Sequence, residues 1–133
     1  MTQPMSAVDV VSLFIPDLDE SIDFYRRVFG VELVFTDEAS AVFQFSNLLI
    51  NLLVDSHASN LITPAEVAQP EMGNRFQFTI AVDDVDRVCE TLRALKVELL
   101  NGPMDRPWGI RSASFKDPGG HIWEISHELA PVD

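Results

Sequence analysis

Short runs of alternating hydrophobic and polar residues, separated by turn residues, predict a chain of eight strands and two main helices. The first strand is predicted over 8–15 and ends before Pro16, because proline has no backbone N–H to donate to a sheet. Asp17 is placed to cap a helix that runs to Gly30. The apolar face of this helix consists of Leu18, Ile22, Tyr25 and Phe29. Three more strands are predicted at 31–36, 41–45 and 48–54.

The second half of the chain repeats this order. A strand at 76–82 leads to a helix opened by Asp83 and Asp84, and further strands are predicted at 97–100, 110–115 and 121–127. The tripeptide Val31-Glu32-Leu33 even recurs as Val97-Glu98-Leu99. Such an internal repeat is a strong indicator of fold. We therefore predict one α+β domain over 1–133, built from two βαβββ modules.

Module 1 is predicted at about 8–54 and module 2 at about 75–127, joined by a polar linker at 55–74. Thr63 and Pro64 predict a short helix in this linker, because proline is favoured at the first helical position. The segment 101–109 is rich in turn residues and is predicted to be a loop leading to the seventh strand.

Alternation along the strands separates two faces of each predicted sheet. One face is apolar throughout and is expected to pack against the helices. The other face carries small and polar residues, namely Ser12, Asn51, Gln77, Thr79 and Glu124. A partly polar concave face is typical of a ligand site, although a water-facing sheet surface is the alternative.

Charge and cysteine content limit the function. With 9 Lys and Arg against 21 Asp and Glu, the net charge is −12, which argues against binding nucleic acid or an anionic membrane through a basic patch. Cys89 is the only cysteine, so no internal disulfide forms. No signal peptide and no membrane-spanning run are recognised, and a cytoplasmic protein is expected.

Five segments carry a family resemblance. They are 16–19 (PDLD), 24–30 (FYRRVFG), 82–86 (VDDVD), 108–111 (WGIR) and 117–124 (DPGGHIWE). In this order, and on a duplicated framework, they resemble the vicinal oxygen chelate superfamily of glyoxalases, bleomycin-resistance proteins, fosfomycin-resistance enzymes and extradiol dioxygenases. The resemblance implies that the modules form a curved, incomplete β-barrel with helices on its outer face, enclosing a cavity. It also implies a homodimer.

The resemblance further implies four cavity-facing positions, which hold His, Glu or Gln ligands in metal-dependent members. In this chain they are Val10, Asn51, Gln77 and Glu124. Valine donates nothing and the amides are neutral, so only Glu124 brings a charge and no imidazole is available. No cofactor is expected, and a divalent metal is the alternative. His121 and His127 are predicted to face away from Glu124, and His57 lies in the linker.

The candidate ligand contacts follow from these positions. The resemblance to bleomycin-binding members makes Trp108 a stacking surface for an aromatic ligand. The other candidates are Phe14, Ser12, Asn51, Gln77, Glu124 and Arg111, with Phe43 and Phe45 as further aromatic lining. Glu124 is also the candidate catalytic residue, as a general base, while a structural hydrogen bond to Gln77 is the alternative.

Two functions compete. One is metal-free binding of a small aromatic or cationic molecule, of the antibiotic-sequestration type. The other is a metal-dependent lyase, isomerase or dioxygenase of the glyoxalase type with an atypical metal shell. A regulatory or structural domain without a ligand is a third option. The sequence does not identify the ligand.

Overall fold

The structure is a computed structural model that describes residues 3–130. The chain divides into two compact units between Ala68 and Gln69, within the predicted linker. Both modules have the predicted βαβββ order, and residues 3–130 form two four-stranded mixed sheets and three α-helices, one of them in the linker. The α+β class and the duplicated module are therefore confirmed.

Module 1 contains β1 (Val10–Ile15), α1 (Leu18–Phe24), β2 (Glu32–Thr36), β3 (Ser40–Gln44) and β4 (Leu49–Val54). The strand order is β1-β4-β3-β2, with β1 parallel to β4. The Asp17 carboxylate accepts a hydrogen bond from the Glu20 backbone N–H at 3.1 Å, which begins α1 as predicted. The helix continues as a π-helical turn, Tyr25–Phe29, and ends at Gly30 in the left-handed conformation, φ +63°.

Module 2 contains β5 (Gln77–Ala81), α3 (Val85–Ala94), β6 (Leu99–Asp105), β7 (Ile110–Lys116) and β8 (Ile122–Glu128). The strand order β5-β8-β7-β6 repeats that of module 1. Asp84 caps α3 as Asp17 caps α1, through the Arg87 backbone N–H at 3.2 Å. The two modules thus begin their helices with the same device.

The linker differs from its prediction. Its helix, α2 (Asp55–Ile62), follows β4 directly, and Thr63 ends this helix rather than starting one. Pro64 therefore lies after the helix, where a proline commonly stands because it cannot continue a helix. A 3₁₀ turn follows at Pro70–Met72.

Strand β6 also differs from its prediction, because it continues to Asp105 instead of ending at Leu100. The pairing of β6 with β7 has two register shifts, one between Leu99 and Asn101 and one between Asn101 and Met104. Gly102 and Pro103 therefore lie within a paired but irregular strand rather than in a loop. A Cβ at Gly102 would lie 2.5 Å from the Ser112 backbone oxygen, and its φ is +84°. Only glycine therefore permits this close approach of β6 to β7.

The hydrophobic core of each module lies between its sheet and its helix, as the alternation predicted. In module 1, Tyr25 packs against Phe43, with ring centroids 5.5 Å apart, above the buried Ile50 and Leu52. In module 2, α3 packs on β6, β7 and β8 through Val85, Cys89 and Leu92. Burial raises the pKa of the Cys89 thiol, as expected for an unreactive core cysteine. None of the α-helices within residues 3–130 has the length and hydropathy needed to span a bilayer.

Candidate functional site

Apart from Trp108, Arg111, Phe43 and Phe45, the candidate residues lie on what we call the open face of each sheet. This is the side turned away from α1 in module 1 or from α3 in module 2. In module 2, Arg111 and His127 are paired across β7 and β8, and both bond to the first turn of α3. The residues that alternate with them therefore point to the open face. These are Gln77, Thr79, Ser112, Ser114, Glu124 and Ser126.

Two carboxylates of β8 lie on this open face, Glu124 within the strand and the exposed Glu128 at its last residue. Glu124 is the one that faces β5 and β7 directly. It is half-buried, and its Oε1 accepts a hydrogen bond from Thr79 Oγ1 at 2.9 Å. Its partner is therefore the residue directly opposite on β5, rather than Gln77 two positions away. Among residues 3–130, no cation forms an ion pair with Glu124, which leaves the carboxylate available to a ligand donor.

Trp108 lies in the β6–β7 turn, between Pro107 and Gly109. The turn is closed by hydrogen bonds from the Arg106 N–H to the Ile110 oxygen at 2.7 Å and from the Gly109 N–H to the Arg106 oxygen. The Trp108 side chain is 67% exposed. It is therefore presented to solvent by a fixed turn, whereas the other tryptophan, Trp123, is buried and donates its indole N–H to Asp117.

Arg111 lies on the opposite side of the sheet from Glu124. Its guanidinium donates two hydrogen bonds of 2.9 Å to Asp86 on α3 and a third to Asp105 on β6. Asp86 consequently has a lowered pKa, chiefly because of the hydrogen bond from Arg111. This ion-pair network joins α3 to the hairpin, so the structure places Arg111 away from the other ligand candidates of module 2.

Arg106, which the sequence reasoning missed, does reach the open face. Its Nε donates to Ser112 Oγ at 2.8 Å and its Nη2 donates to Asn101 Oδ1 at 2.7 Å. Ser112 and Asn101 belong to the open-face set of β7 and β6, because Asn101 pairs with Ser114. The residue lies within the segment predicted as a loop, and only the continuation of β6 reveals where its side chain goes.

Module 1 has an open face of a different character. Asn51 and Ser12 are directly opposite on β4 and β1, and Asn51 Nδ2 donates to Ser12 Oγ at 3.2 Å. Val10 and Phe14 flank Ser12 on the same face. The Asn51 Oδ1 is buried and accepts no hydrogen bond within residues 3–130. Phe43 and Phe45 are absent from this face, because they pack with Tyr25 on the helix side.

The histidines do not add to the candidate set. His127 Nδ1 accepts a hydrogen bond from the Val85 N–H at the start of α3, and His121 contacts Asp117 at 3.2 Å. Both lie on the α3 side of the sheet, as their spacing from Glu124 predicted. His57 is an exposed residue of α2.

The residues at the four positions implied by the resemblance do not fit a divalent metal. In module 1, Val10 has no donor atom and the Asn51 amide is hydrogen-bonded to Ser12. In module 2, Gln77 offers a neutral amide and Glu124 is hydrogen-bonded to Thr79. Zinc and other transition metals need several imidazole, thiolate or carboxylate ligands. Within residues 3–130, His, Cys, Asp and Glu side chains form no group of three or more that could hold a metal ion.

Comparisons with known proteins agree with this architecture. A family model described as "Glyoxalase/Bleomycin resistance protein/Dioxygenase superfamily" matches residues 7–125. The chain is 32% identical over 111 residues to a metallothiol transferase FosB from Lysinibacillus sphaericus, covering 84% of this chain and 74% of that protein. It is 29% identical over 117 residues to a probable lactoylglutathione lyase from Vibrio cholerae, covering 85% and 84% respectively.

Solved structures show the same fold. The crystal structure of a glyoxalase/bleomycin resistance protein/dioxygenase from Nocardioides matches with a TM-score of 0.86 and 23% identity, covering 99% of this chain and 89% of that chain. A glyoxalase-related enzyme from Fulvimarina pelagi matches with a TM-score of 0.80 and 26% identity, over 92% and 88%. These likenesses concern the fold.

Proposed function

Because the chain belongs to the Glyoxalase/Bleomycin resistance protein/Dioxygenase superfamily, we propose that it binds a small aromatic or cationic molecule on the open face of module 2 without a metal ion. The observation that carries this proposal is the donor set. A single carboxylate, Glu124, stands where a metal site would need several strong ligands, and it has a hydroxyl partner instead. Such a face suits recognition of an organic ligand better than coordination of a metal.

Trp108 and Glu124 are the two side chains that contact the ligand in this proposal. Trp108 offers an exposed indole on which a flat ring stacks, an arrangement worth about 0.5–1.5 kcal/mol beyond the area buried. Glu124 accepts hydrogen bonds from a ligand ammonium or amidinium group, and charge-assisted bonds of this kind are stronger than neutral ones. The net charge of −12 favours the approach of cationic ligands.

The test is calorimetric titration of protein dialysed against EDTA, with benzylamine as the minimal aromatic cation and a panel of cationic aromatic antibiotics. Calorimetry is preferable to fluorescence because Trp108 is both the proposed contact and the main exposed fluorophore. We expect saturable binding that Trp108→Ala and Glu124→Gln each weaken. Trp108→Phe keeps a ring in place and should retain most of the affinity.

Two outcomes of this titration contradict the proposal. One is that no compound binds to the EDTA-treated protein. The other is that binding appears only after a divalent metal is restored. Far-UV circular dichroism provides the folding control, since its spectrum should be the same in every variant.

Metal-dependent chemistry is the second candidate, because the two curated relatives are named as a metallothiol transferase and a probable lactoylglutathione lyase. It requires that this chain bind the metal with an atypical set of ligands. A catalytic role for Glu124, the homodimer, and ligand contacts by Phe14, Ser12, Asn51, Gln77 and Arg111 stay predictions.

A further inference from the structure

Arg106 and Arg111 are the two half-buried arginines of residues 3–130, and their environments differ. Arg111 bonds to the carboxylates of Asp86 and Asp105. Arg106 bonds only to neutral oxygens, the Ser112 hydroxyl and the Asn101 amide. Within the described residues no carboxylate forms an ion pair with it. Arg106 is thus a half-buried cation whose charge the protein leaves uncompensated.

The backbone holds Arg106 in this place through a feature that module 1 lacks. The β2–β3 hairpin of module 1 ends at the pair Thr36–Ala41, soon after its single register shift. In module 2, a second register shift at Gly102 extends the pairing to Asp105–Arg111. This last pair is four residues from Phe115 on β7 (115 − 111), whereas Ala41 is two residues from the corresponding Phe43 on β3 (43 − 41). The longer hairpin lets the Arg106 side chain extend back over Ser112 and Asn101.

The two contacts of Arg106 also leave part of its hydrogen-bonding capacity unused. A guanidinium has five N–H donors, and here Nε and one Nη2 hydrogen are engaged. Both Nη1 hydrogens have no acceptor within residues 3–130. Ser112 and Asn101 therefore fix the orientation of the guanidinium without satisfying it, which is how an anion-binding arginine is prepared for a ligand.

We propose that Arg106 binds a carboxylate group of the ligand. This inference rests on the proposed function and adds an anionic group to the aromatic or cationic molecule. A carboxylate matches the planar guanidinium, and Arg106 is the half-buried cation of this face, whereas Lys116 at the end of β7 is exposed. A dianionic group would meet more repulsion from a protein of net charge −12.

The position of Glu124 specifies the other end of the ligand. Ser114 lies directly opposite Glu124. Ser112, which accepts the hydrogen bond from Arg106, is two residues before Ser114 on β7. Diagonal neighbours of this kind are about 7–8 Å apart. A ligand with a carboxylate at one end and an ammonium at the other, separated by roughly one aromatic ring, therefore fits the pair formed by Arg106 and Glu124.

A set of four matched probes tests this inference by NMR titration of the full chain. These are 4-(aminomethyl)benzoate with both charges, benzylamine with the cation, benzoate with the anion, and benzyl alcohol with neither. We expect 4-(aminomethyl)benzoate to bind at least tenfold more tightly than benzylamine. Arg106→Gln should abolish this advantage and leave benzylamine binding unchanged. Arg87→Gln, an exposed arginine on α3, makes the same charge change as a control and should alter neither affinity.

The outcomes separate this inference from the proposed function. If benzylamine binds and the carboxylate gives no advantage, or the advantage survives Arg106→Gln, the inference is wrong while the proposed function stands. If no probe binds, the inference is wrong, and the proposed function then stands or falls with the antibiotic panel. Should Arg106→Gln fail to fold, the Arg106 Nε–H resonance of the unmodified protein gives the answer. It must shift on addition of 4-(aminomethyl)benzoate but not of benzylamine, and the absence of that shift overturns the inference.

Discussion

The two modules share a helix-side core but differ on their open faces. Phe43 and Phe115 occupy corresponding places on the third strand of each module, 0% and 1% exposed, under α1 and α3 respectively. The open face of module 1 carries an amide and a hydroxyl among apolar side chains, whereas that of module 2 carries Glu124 and Arg106. The repeated core sets the fold, because both helices must bury an apolar face, and the open face is free to acquire different chemistry.

Removing the shared core should be equally damaging in either module. Phe43→Ala and Phe115→Ala each delete a fully buried ring, and each should lower the free energy of unfolding by about 3–5 kcal/mol. Urea unfolding monitored by circular dichroism measures both. If Phe43→Ala lowered the free energy of unfolding strongly and Phe115→Ala hardly changed it, the two cores would not be equivalent.

The next largest effect should be confined to the module 2 hairpin. Gly102→Ala forces a Cβ to 2.5 Å from the Ser112 oxygen at a positive φ, and should cost about 2–4 kcal/mol. Gly30→Ala in module 1 is the matched control, since its φ is also positive but no atom lies within 4 Å of the added Cβ. It should cost about 1–2 kcal/mol. Equal losses in the two variants would argue against the close approach of β6 to β7.

A smaller effect of opposite sign is expected at the end of α3. Lys96 has a left-handed φ of +67°, at the place where module 1 uses Gly30. Lys96→Gly relieves this conformation at the cost of a more flexible unfolded chain, and should raise the free energy of unfolding by up to about 1 kcal/mol. A decrease measured by thermal or urea unfolding would show that the lysine side chain stabilises the fold more than its backbone strains it.

The smallest predicted change concerns the acid titration of two aspartates. Arg111 lowers the pKa of Asp86, so this pair stabilises the folded state above the ordinary value of 3.8 and the stabilisation is lost as the pH falls through the lowered pKa. Arg111→Met should move the Asp86 pKa up toward 3.8 in a carboxyl NMR titration. Asp37 in module 1, whose pKa is lowered mainly by the Ala39 backbone N–H, should not move. A shift of both would indicate a general rather than a local change.

The sequence predicted the parts that obey periodicity and repetition. Alternation placed Glu124 and Thr79 on one face and His127 on the other, and Asp17 and Asp84 were recognisable as helix starts. The predictions for the linker helix and for the end of β6 were wrong. A proline such as Pro64 gives the same local signal whether it starts a helix or follows one. A glycine such as Gly102 gives the same signal whether it lies in a loop or interrupts a strand. Arg106 was missed for that reason, since its place depends on the pairing of β6 with β7.

The side of the sheet on which Arg111 lies could also have been predicted from the sequence. Its alternation with the buried Ser112 and its opposite charge to Asp86 both favour the helix side. Arg111 was instead predicted to contact the ligand because it is close to Trp108 in the sequence. Proximity along the chain is a weak guide here, because Trp108 lies in the hairpin turn whereas Arg111 lies on β7 and faces α3.

Titration of Mn²⁺ and Zn²⁺ into EDTA-treated protein tests the central claim most directly. The claim is that the positions held by Val10, Asn51, Gln77 and Glu124 do not form a metal site. Calorimetry should show no saturable binding at micromolar metal, and Glu124→Gln should give the same trace as the unmodified chain. Stoichiometric binding that is lost in Glu124→Gln would contradict the account and favour a metal-dependent function.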